Sequence, residues 1–186
     1  MNTREVYNSL AQDYDEKYVD GDDNHYRRDE ILAAKHYRKF VLDNNISSNA
    51  GIISLGCGTG QDIVIIGYPS TEVFRGFDIS DKMLEKARKK FPRYKFSHRD
   101  CSHYFAGRCD ILVSMFGTPN YVGIHTLLAH YTVFKAKHAF FIFYADTYVD
   151  GVVDSYYKYS FEELKEKFGV DPVPLEEGSN YYVVSW

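Results

Sequence analysis

The sequence lacks the features that mark membrane proteins and disulfide-stabilised secreted proteins. No apolar run among its 186 residues approaches the roughly 18 residues that a membrane span requires. The first nine residues are polar and carry no signal-peptide pattern. The three cysteines, Cys57, Cys101 and Cys109, form no Cys-x-x-Cys pair. We therefore expect reduced thiols, a cytoplasmic location and no membrane partner.

Motifs for metal binding and for nucleophilic triads are also missing. The seven histidines include no His-x-x-x-His pair, and His125 and His130 are five residues apart. We therefore expect no metal site. Repeats, low-complexity tracts and linkers are missing as well. A single domain over residues 1–186 is therefore expected, long enough for a three-layer core.

The charged residues that are present are unevenly distributed. The net charge is −4, yet residues 82–99 contain eight Lys or Arg and one acid, Glu85. This basic stretch has two interpretations, a solvated helix face or a phosphate-binding surface. The acidic remainder of the chain would repel a long polyanion, which argues against nucleic acid as a partner. The composition, 45% hydrophobic and 26% charged, is otherwise typical of globular proteins.

Apolar periodicity predicts strands that alternate with helices after residue 50. The predicted strands are 51–55, 73–77, 94–97, 111–115, 139–144, 170–175 and 181–186. The predicted helices are 3–20, 27–43, 61–66, 81–91, 122–135 and 161–168. This alternation predicts an α/β fold with three layers, in which helices cover both faces of a mostly parallel sheet. One short loop joins the last two strands, which predicts an antiparallel C-terminal strand.

A glycine-rich turn follows the first predicted strand. Gly56, Gly58 and Gly60 are spaced by two residues, and Asp78 ends the next strand. The glycines let the backbone approach one end of a ligand closely, and a carboxylate can accept hydrogen bonds from ribose hydroxyls. Together these features suit a nucleoside. The spacing differs from the dinucleotide fingerprint Gly-x-Gly-x-x-Gly, because position 61 is Gln.

Parallel sheets bind ligands beyond the carboxyl ends of their strands. The glycine loop 56–60, Asp78, Asp100 and residues 114–121 all fall at predicted carboxyl ends. Topology therefore predicts that these residues form one site.

The order of these motifs over residues 50–145 resembles the class I, Rossmann-like, seven-stranded S-adenosylmethionine-dependent methyltransferases. The resemblance implies a transferase with S-adenosylmethionine as cofactor and S-adenosylhomocysteine as product. It further implies cofactor contacts along the methionine part, the ribose, the adenine and the transferred methyl group. The residues implied are Gly56, Cys57, Gly58, Gly60, Asp78, Ile79, Met83, Asp100, Cys101, Ser114 and Phe116, with Tyr14 from the N-terminal segment.

Residues 7–15 are similar to the lid segment of the ubiquinone-biosynthesis-type and related small-molecule methyltransferases. This resemblance implies a helical lid or cap over residues 1–45 and a Rossmann-like core over residues 50–186. The chain has 17 Tyr and 13 Phe, and aromatic rings suit contact with a sulfonium or an organic substrate. No substrate domain is inserted, so the lid and the loops after the fourth and fifth strands must form the substrate pocket.

The chain departs from the family at one position. The family often has an acid two residues before the first glycine, and here that residue is Ser54. Asp62 is the candidate acid that compensates. This departure keeps a second interpretation open, a noncatalytic or other-chemistry protein that binds S-adenosylmethionine.

The predicted reaction is methyl transfer to a small-molecule acceptor, in which the protein holds the acceptor in line and excludes water. Candidate proton acceptors are His25, His103, Tyr121 and His125, and we assign the catalytic role to Tyr121 and His125. An RNA or protein acceptor is the alternative that the basic stretch 82–99 supports. The Asn-Pro-Pro-aromatic signature of amino-directed nucleic-acid methyltransferases is missing. The sequence identifies neither the acceptor atom nor the oligomeric state.

Overall fold

A seven-stranded sheet forms the centre of the molecule in the computed structural model, which describes residues 2–18, 25–146 and 156–186. The strands are β1 (Ile52–Leu55), β2 (Phe74–Asp78), β3 (Lys95–His98), β4 (Ile111–Ser114), β5 (His138–Tyr144), β6 (Val173–Pro174) and β7 (Tyr181–Ser185). Their order in the sheet is β3-β2-β1-β4-β5-β7-β6. The first five strands are parallel, and β7 pairs antiparallel with both β5 and β6. The predicted fold class is confirmed.

Eight helices lie within the described residues, and those that follow β1, β2 and β4 are the crossovers of the parallel strands. They are α1 (Thr3–Leu10), α2 (Tyr14–Tyr18), α3 (His25–Asp43), α4 (Gln61–Ile66), α5 (Asp81–Lys90), α6 (Thr118–Val122), α7 (Ile124–Val133) and α8 (Phe161–Phe168). None of these helices is both long and apolar enough to cross a membrane.

Strand β5 shows how the sheet builds two hydrophobic cores. Alternate residues of a strand point to opposite faces. Phe140 belongs to the core that includes residues of α3, α4 and α5, whereas Phe141 belongs to the core that includes residues of α7 and α8. The ring of Tyr37 on α3 lies 5.2 Å from the ring of Phe140, edge to face. Burial of each such phenylalanine contributes about 1.5–3 kcal/mol, and it holds α3 against the sheet.

The N-terminal segment differs from the prediction of one helix over residues 3–20. Helix α1 ends at Leu10, residues 11–13 form a turn, and α2 begins at Tyr14. Residues 19 and 20 of the predicted helix lie outside the described residues.

The helix predicted over residues 122–135 is two helices, because Gly123 has φ 80° between them. A side chain at Gly123 would lie 2.9 Å from the Tyr157 ring. The strand predicted over residues 170–175 is only two residues long, and it ends at Pro174, which has no N–H to donate to a ladder.

Candidate functional site

The carboxyl ends of the parallel strands border a cavity of about 910 Å³. Small-molecule sites span roughly 300–1,000 Å³, so this cavity lies near the upper end of that range. Helices α1 and α2 contribute its outer wall, and α3 and α4 contribute one side. It brings together ten of the residues that the sequence assigned to the cofactor: Tyr14, Gly56, Cys57, Gly58, Asp78, Ile79, Met83, Asp100, Cys101 and Phe116.

The three glycines of the loop have different roles. All three have positive φ, 74° at Gly56, 52° at Gly58 and 89° at Gly60. A side chain at Gly56 would collide with Thr118 at the start of α6, and one at Gly60 would lie 2.7 Å from the ring of Phe91. At Gly58 a Cβ atom would meet no protein atom within 4 Å. Gly58 is therefore the position where the backbone faces the cavity, whereas Gly60 serves packing and does not line it.

Asp78 ends β2 and is held by two backbone amides. Its Oδ2 accepts from the Gly58 N–H at 2.8 Å, and its Oδ1 accepts from the Ser80 N–H at 2.8 Å. Burial raises the pKa of Asp78, and these amide hydrogen bonds oppose that shift. A carboxylate has about four acceptor positions, so the backbone amides leave acceptor capacity for a ligand hydroxyl.

Asp100 follows β3 and lines the same end of the cavity. Its Oδ1 accepts from the N–H and the hydroxyl of Ser102 at 2.9 and 2.6 Å, and His103 Nδ1 lies 3.1 Å from Oδ2. Partial burial opposes ionisation of Asp100, but the Ser102 and His103 contacts outweigh it and lower its pKa. This carboxylate is therefore ionised and available as an acceptor.

Two further carboxyl groups lie on the α3–α4 side of the cavity. The fully buried Ser54 donates its hydroxyl to Asp62 Oδ2. Gln61 Nε2 donates to Glu30 Oε2 at 2.9 Å. Burial raises the pKa of both Asp62 and Glu30 to about 7. Sequence reasoning missed Glu30, because it reaches the glycine loop only through the packing of α3 on α4.

The raised pKa of Asp62 makes the stability of the fold pH-dependent. The unfolded chain ionises Asp62 near 3.8, so its contribution to stability is fully present below that pH and is lost as pH rises through about 7. We expect Asp62→Asn to reduce the loss of stability between pH 5 and 7 by about 1–3 kcal/mol. In this variant the stability still falls as pH rises, because the pKa of Glu30 is raised as well. Urea unfolding at both pH values measures the effect, with the exposed Glu72→Gln as control. An unchanged slope in Asp62→Asn would contradict the assignment.

Four rings form an aromatic wall where β4, β5 and β7 meet: Phe116, Tyr121, Tyr144 and Tyr181. The Phe116 and Tyr181 rings are 5.3 Å apart, and the Tyr144 and Tyr181 rings are 5.7 Å apart. Phe116 has φ 47°, and a non-glycine residue with positive φ is a strained conformation typical of functional sites. Tyr144 and Tyr181 were not predicted, because β7 reaches this end of the sheet only through its antiparallel pairing with β5.

Polar contacts hold the N-terminal helices over the cavity. They join α1, α2 and the turn between them to α5 and the glycine loop. The contacts are Arg4–Asp81 (2.5 Å), Ser80 Oγ to Asn8 Oδ1 (2.7 Å), Lys86 Nζ to Gln12 O (2.5 Å), Lys90 Nζ to Asp15 Oδ1 (2.9 Å) and Thr59 Oγ1 to Asp15 Oδ1 (2.7 Å). Two lysines of the basic stretch 82–99 therefore hold the cover of the cavity.

The structure separates the two predicted catalytic residues. Tyr121 lines the cavity, and the Tyr7 hydroxyl donates to its hydroxyl at 3.1 Å. His125 is exposed on α7 and does not line the cavity. His103 is exposed, and the side chain of His25 lies outside the described residues. The catalytic roles of Tyr121 and His125 stay predictions, and placement supports only Tyr121.

Ser114 also lies outside the cavity lining. It is fully buried at the end of β4, and its hydroxyl donates to the Leu55 carbonyl of the neighbouring strand at 2.9 Å. The predicted contact of Ser114 with the cofactor therefore has no support from its position.

Comparison with known proteins identifies one matching family and several related structures. Residues 52–133 match a family described as a methyltransferase domain. Magnesium protoporphyrin IX methyltransferase (ChlM) from Synechocystis PCC 6803 with bound SAH superposes with a TM-score of 0.70 at 16% identity, covering 98% of this chain and 96% of that one. A search of the curated proteins found no match.

Two other solved structures share the same arrangement. A S-adenosylmethionine-dependent methyltransferase from Clostridium acetobutylicum ATCC 824 has a TM-score of 0.64 at 16% identity, with 96% of this chain and 97% of that one covered. The DhpI–SAH complex has a TM-score of 0.69 at 14% identity, with 97% and 92% covered. At these identities the likeness concerns the fold.

Proposed function

We propose that this chain binds S-adenosylmethionine and transfers its methyl group to a small molecule. The proposal starts from its class I S-adenosylmethionine-dependent methyltransferase fold and from the match of residues 52–133 to a methyltransferase domain. The predicted transferase class is confirmed at the level of domain and fold. The observation that carries the proposal is the cavity of about 910 Å³, which runs from Asp78 and Asp100 past the glycine loop to the aromatic wall.

The end of the cavity beside β2 and β3 suits the nucleoside of the cofactor. Asp78 would accept from the ribose hydroxyls, because its carboxylate keeps acceptor capacity beyond the backbone amides that it binds. Asp100 and the Cys101 amide would contact the adenine, with Ile79 and Met83 beside it. SAM and SAH are present in the solved neighbours of the same fold, which supports this assignment.

Asp62 would take the place of the family's acid near the cofactor's amino group. Ser54 occupies the position of that acid, and its hydroxyl donates to the Asp62 carboxylate, which lies across the glycine loop in the first turn of α4. Asp62 lines the cavity and is only 6% exposed. An ammonium group beside it would favour its ionised form.

In this reaction the main role of the chain is to position the cofactor and the acceptor. The sulfonium of the bound cofactor supplies an electrophilic methyl group. The loop after β4 and the aromatic wall would hold the acceptor in line with that methyl, and α1 would exclude water. Tyr121 belongs to the aromatic wall and accepts a hydrogen bond from Tyr7 of α1, so it joins the acceptor pocket to its cover.

The cover over the cavity also bears on acceptor size. Contacts from α1 and α2 lie across the site, which favours a small acceptor over an RNA or protein segment. The similarity of residues 7–15 to the lid of ubiquinone-biosynthesis-type methyltransferases points the same way. This subfamily assignment, the cap over residues 1–45 and the cytoplasmic location are proposals.

A methyl-labelled metabolite screen tests the proposed function. The protein is incubated with cell extract and isotopically labelled S-adenosylmethionine, and mass spectrometry detects molecules that gain the label. We expect a labelled small molecule that is not produced by Gly58→Val. Label only in protein or RNA would favour the macromolecular alternative. Cofactor binding without any labelled product would favour a noncatalytic role.

Hydrogen exchange tests whether residues 3–18 act as a lid. The contacts that hold α1 and α2 are single hydrogen bonds and the ion pairs Arg4–Asp81 and Lys90–Asp15. An exposed ion pair such as Arg4–Asp81 contributes only about 0–1 kcal/mol, so the cover opens easily without ligand. We expect SAH to slow exchange across residues 7–18 at least about tenfold, because a bound ligand adds contacts to the closed form. Protection at residues 56–60 with unchanged exchange at residues 7–18 would make these helices scaffold.

A further inference from the structure

The cavity has two ends that lie on opposite sides of β1. The sheet order places β2 and β3 on one side and β4, β5 and β7 on the other. The β2–β3 end holds the residues proposed for the nucleoside. The β4–β5–β7 end holds the aromatic wall, and it is the end left for the methyl acceptor under the proposed function.

The positive charges that line the cavity belong to the β2–β3 end. Among the described lining residues, Arg4 and His98 are the basic side chains. Arg4 pairs with Asp81, the first residue of α5, at 2.5 Å. His98 Nε2 lies 2.8 Å from the Ile79 carbonyl oxygen. Both side chains are therefore engaged beside β2.

The β4–β5–β7 end has no basic lining residue in the part of the chain that the structure describes. The segments outside the described residues, 19–24 and 147–155, contain no Lys, Arg or His in their sequence. These two segments therefore add no cation to this end.

Two carboxyl groups line the cavity on the side of α3. Asp29 and Glu30 face the cavity from the N-terminal part of α3. An ion pair between Arg28 and Glu176 in the turn before β7, at 2.6 Å, and the packing of Tyr37 on β5 place α3 beside the aromatic wall.

We propose that the methyl acceptor is an organic amine, which enters as its cation, and not a carboxylate, phosphonate or phosphate. An ammonium group is attracted to the faces of aromatic rings and to carboxylates. An anion would meet ring faces and the α3 carboxyl groups, with no basic side chain among the described lining residues of this end, which opposes its burial. The inference rests on the proposed function. Burial raises the pKa of Glu30 to about 7, so a neighbouring ammonium would favour its ionised form.

The reaction is balanced for an amine. The ammonium first loses one proton to solvent water. The nitrogen lone pair then forms the new C–N bond as the carbon–sulfur bond breaks, and that electron pair stays on sulfur. The positive charge passes from the sulfonium to the methylated ammonium, and the thioether leaves as S-adenosylhomocysteine.

Three matched probes test the charge preference. Phenethylamine, phenylacetate and 2-phenylethanol have one ring each and carry positive, negative and no charge at pH 7. Calorimetry and saturation-transfer NMR measure their binding to the full chain saturated with SAH, where the sulfonium is gone. We expect phenethylamine to bind at least about tenfold more tightly than phenylacetate, with 2-phenylethanol between them.

Two variants test whether the α3 carboxyl group of Glu30 produces the preference. Glu30→Gln removes one carboxylate at nearly constant size, so it should reduce the advantage of phenethylamine at least threefold while SAH affinity changes less. Glu85→Gln on the exposed face of α5 is the matched control and should keep the advantage. Equal or tighter binding of phenylacetate, or no binding of phenethylamine at millimolar concentration, would overturn the inference alone. Failure of SAH to bind would overturn the proposed function and this inference together.

Discussion

Replacing Gly58 with valine is expected to abolish binding of S-adenosylmethionine and SAH while the chain still folds. Gly58 has φ 52°, and a Cβ atom there meets no protein atom within 4 Å. The valine side chain would therefore stand in the cavity that the cofactor must occupy. The left-handed conformation costs about 1–3 kcal/mol in a non-glycine residue. A domain with about 5–15 kcal/mol of stability tolerates that cost.

Calorimetric titration and circular dichroism measure the two halves of this expectation. Gly169→Val is the matched control, because Gly169 has φ 69° and no protein atom within 4 Å of its Cβ position. Gly169 ends α8 and does not line the cavity. The control should therefore lose similar stability and keep cofactor affinity. Retained affinity in Gly58→Val would contradict the assigned loop.

Replacing Asp78 with alanine is expected to weaken binding of SAM and SAH about 5- to 150-fold. The ribose hydroxyls would lose their acceptor in a mostly dry site, at a cost of about 1–3 kcal/mol. Asp78 also accepts from the Gly58 amide, so the variant loosens the glycine loop as well. Both effects act on the same ligand, which makes this the second largest loss that we expect.

Two further variants separate the causes of that loss. Asp78→Asn keeps the size of the side chain and one carbonyl acceptor, so it should fall between the wild type and Asp78→Ala. Glu85→Ala removes an acid from the exposed face of α5 and serves as the control for net charge. Calorimetric titration with SAH compares all four proteins. Equal affinities for wild type and Asp78→Ala would remove Asp78 from the site.

Local sequence patterns predicted most residues of β1, β2 and β4, the strands that lead into the site. The strands predicted at 51–55, 73–77 and 111–115 each differ by one residue at one or both ends from β1, β2 and β4. Short apolar runs between polar turns are a local signal, because a strand buried on both faces needs no distant information to be recognised. Once these strands are parallel, their carboxyl ends share one edge, so Asp78 and Asp100 converge.

Local patterns give less guidance where the exposure of a side chain depends on distant packing. Gly60 was assigned to the cofactor, yet its missing side chain makes room for Phe91. Ser114 was assigned to the same site, yet its hydroxyl bonds to the neighbouring strand. His125 was assigned a catalytic role, and α7 turns it to solvent. In each case the residue type suited the chemistry, but the direction of the side chain is set by elements far away in sequence.

The sequence by itself determined the layered α/β fold, the glycine loop and the acid that ends β2, because each follows from a period or spacing within a few residues. Only the tertiary structure decided what surrounds the acceptor. Packing of α3 on α4 brings in Glu30, antiparallel pairing of β7 with β5 brings in Tyr181, and the contacts of α1 with α5 bring in Tyr7. These residues lie tens to more than a hundred positions from the glycine loop. They meet because burial of apolar faces closes the chain on itself, a long-range condition that no local pattern records.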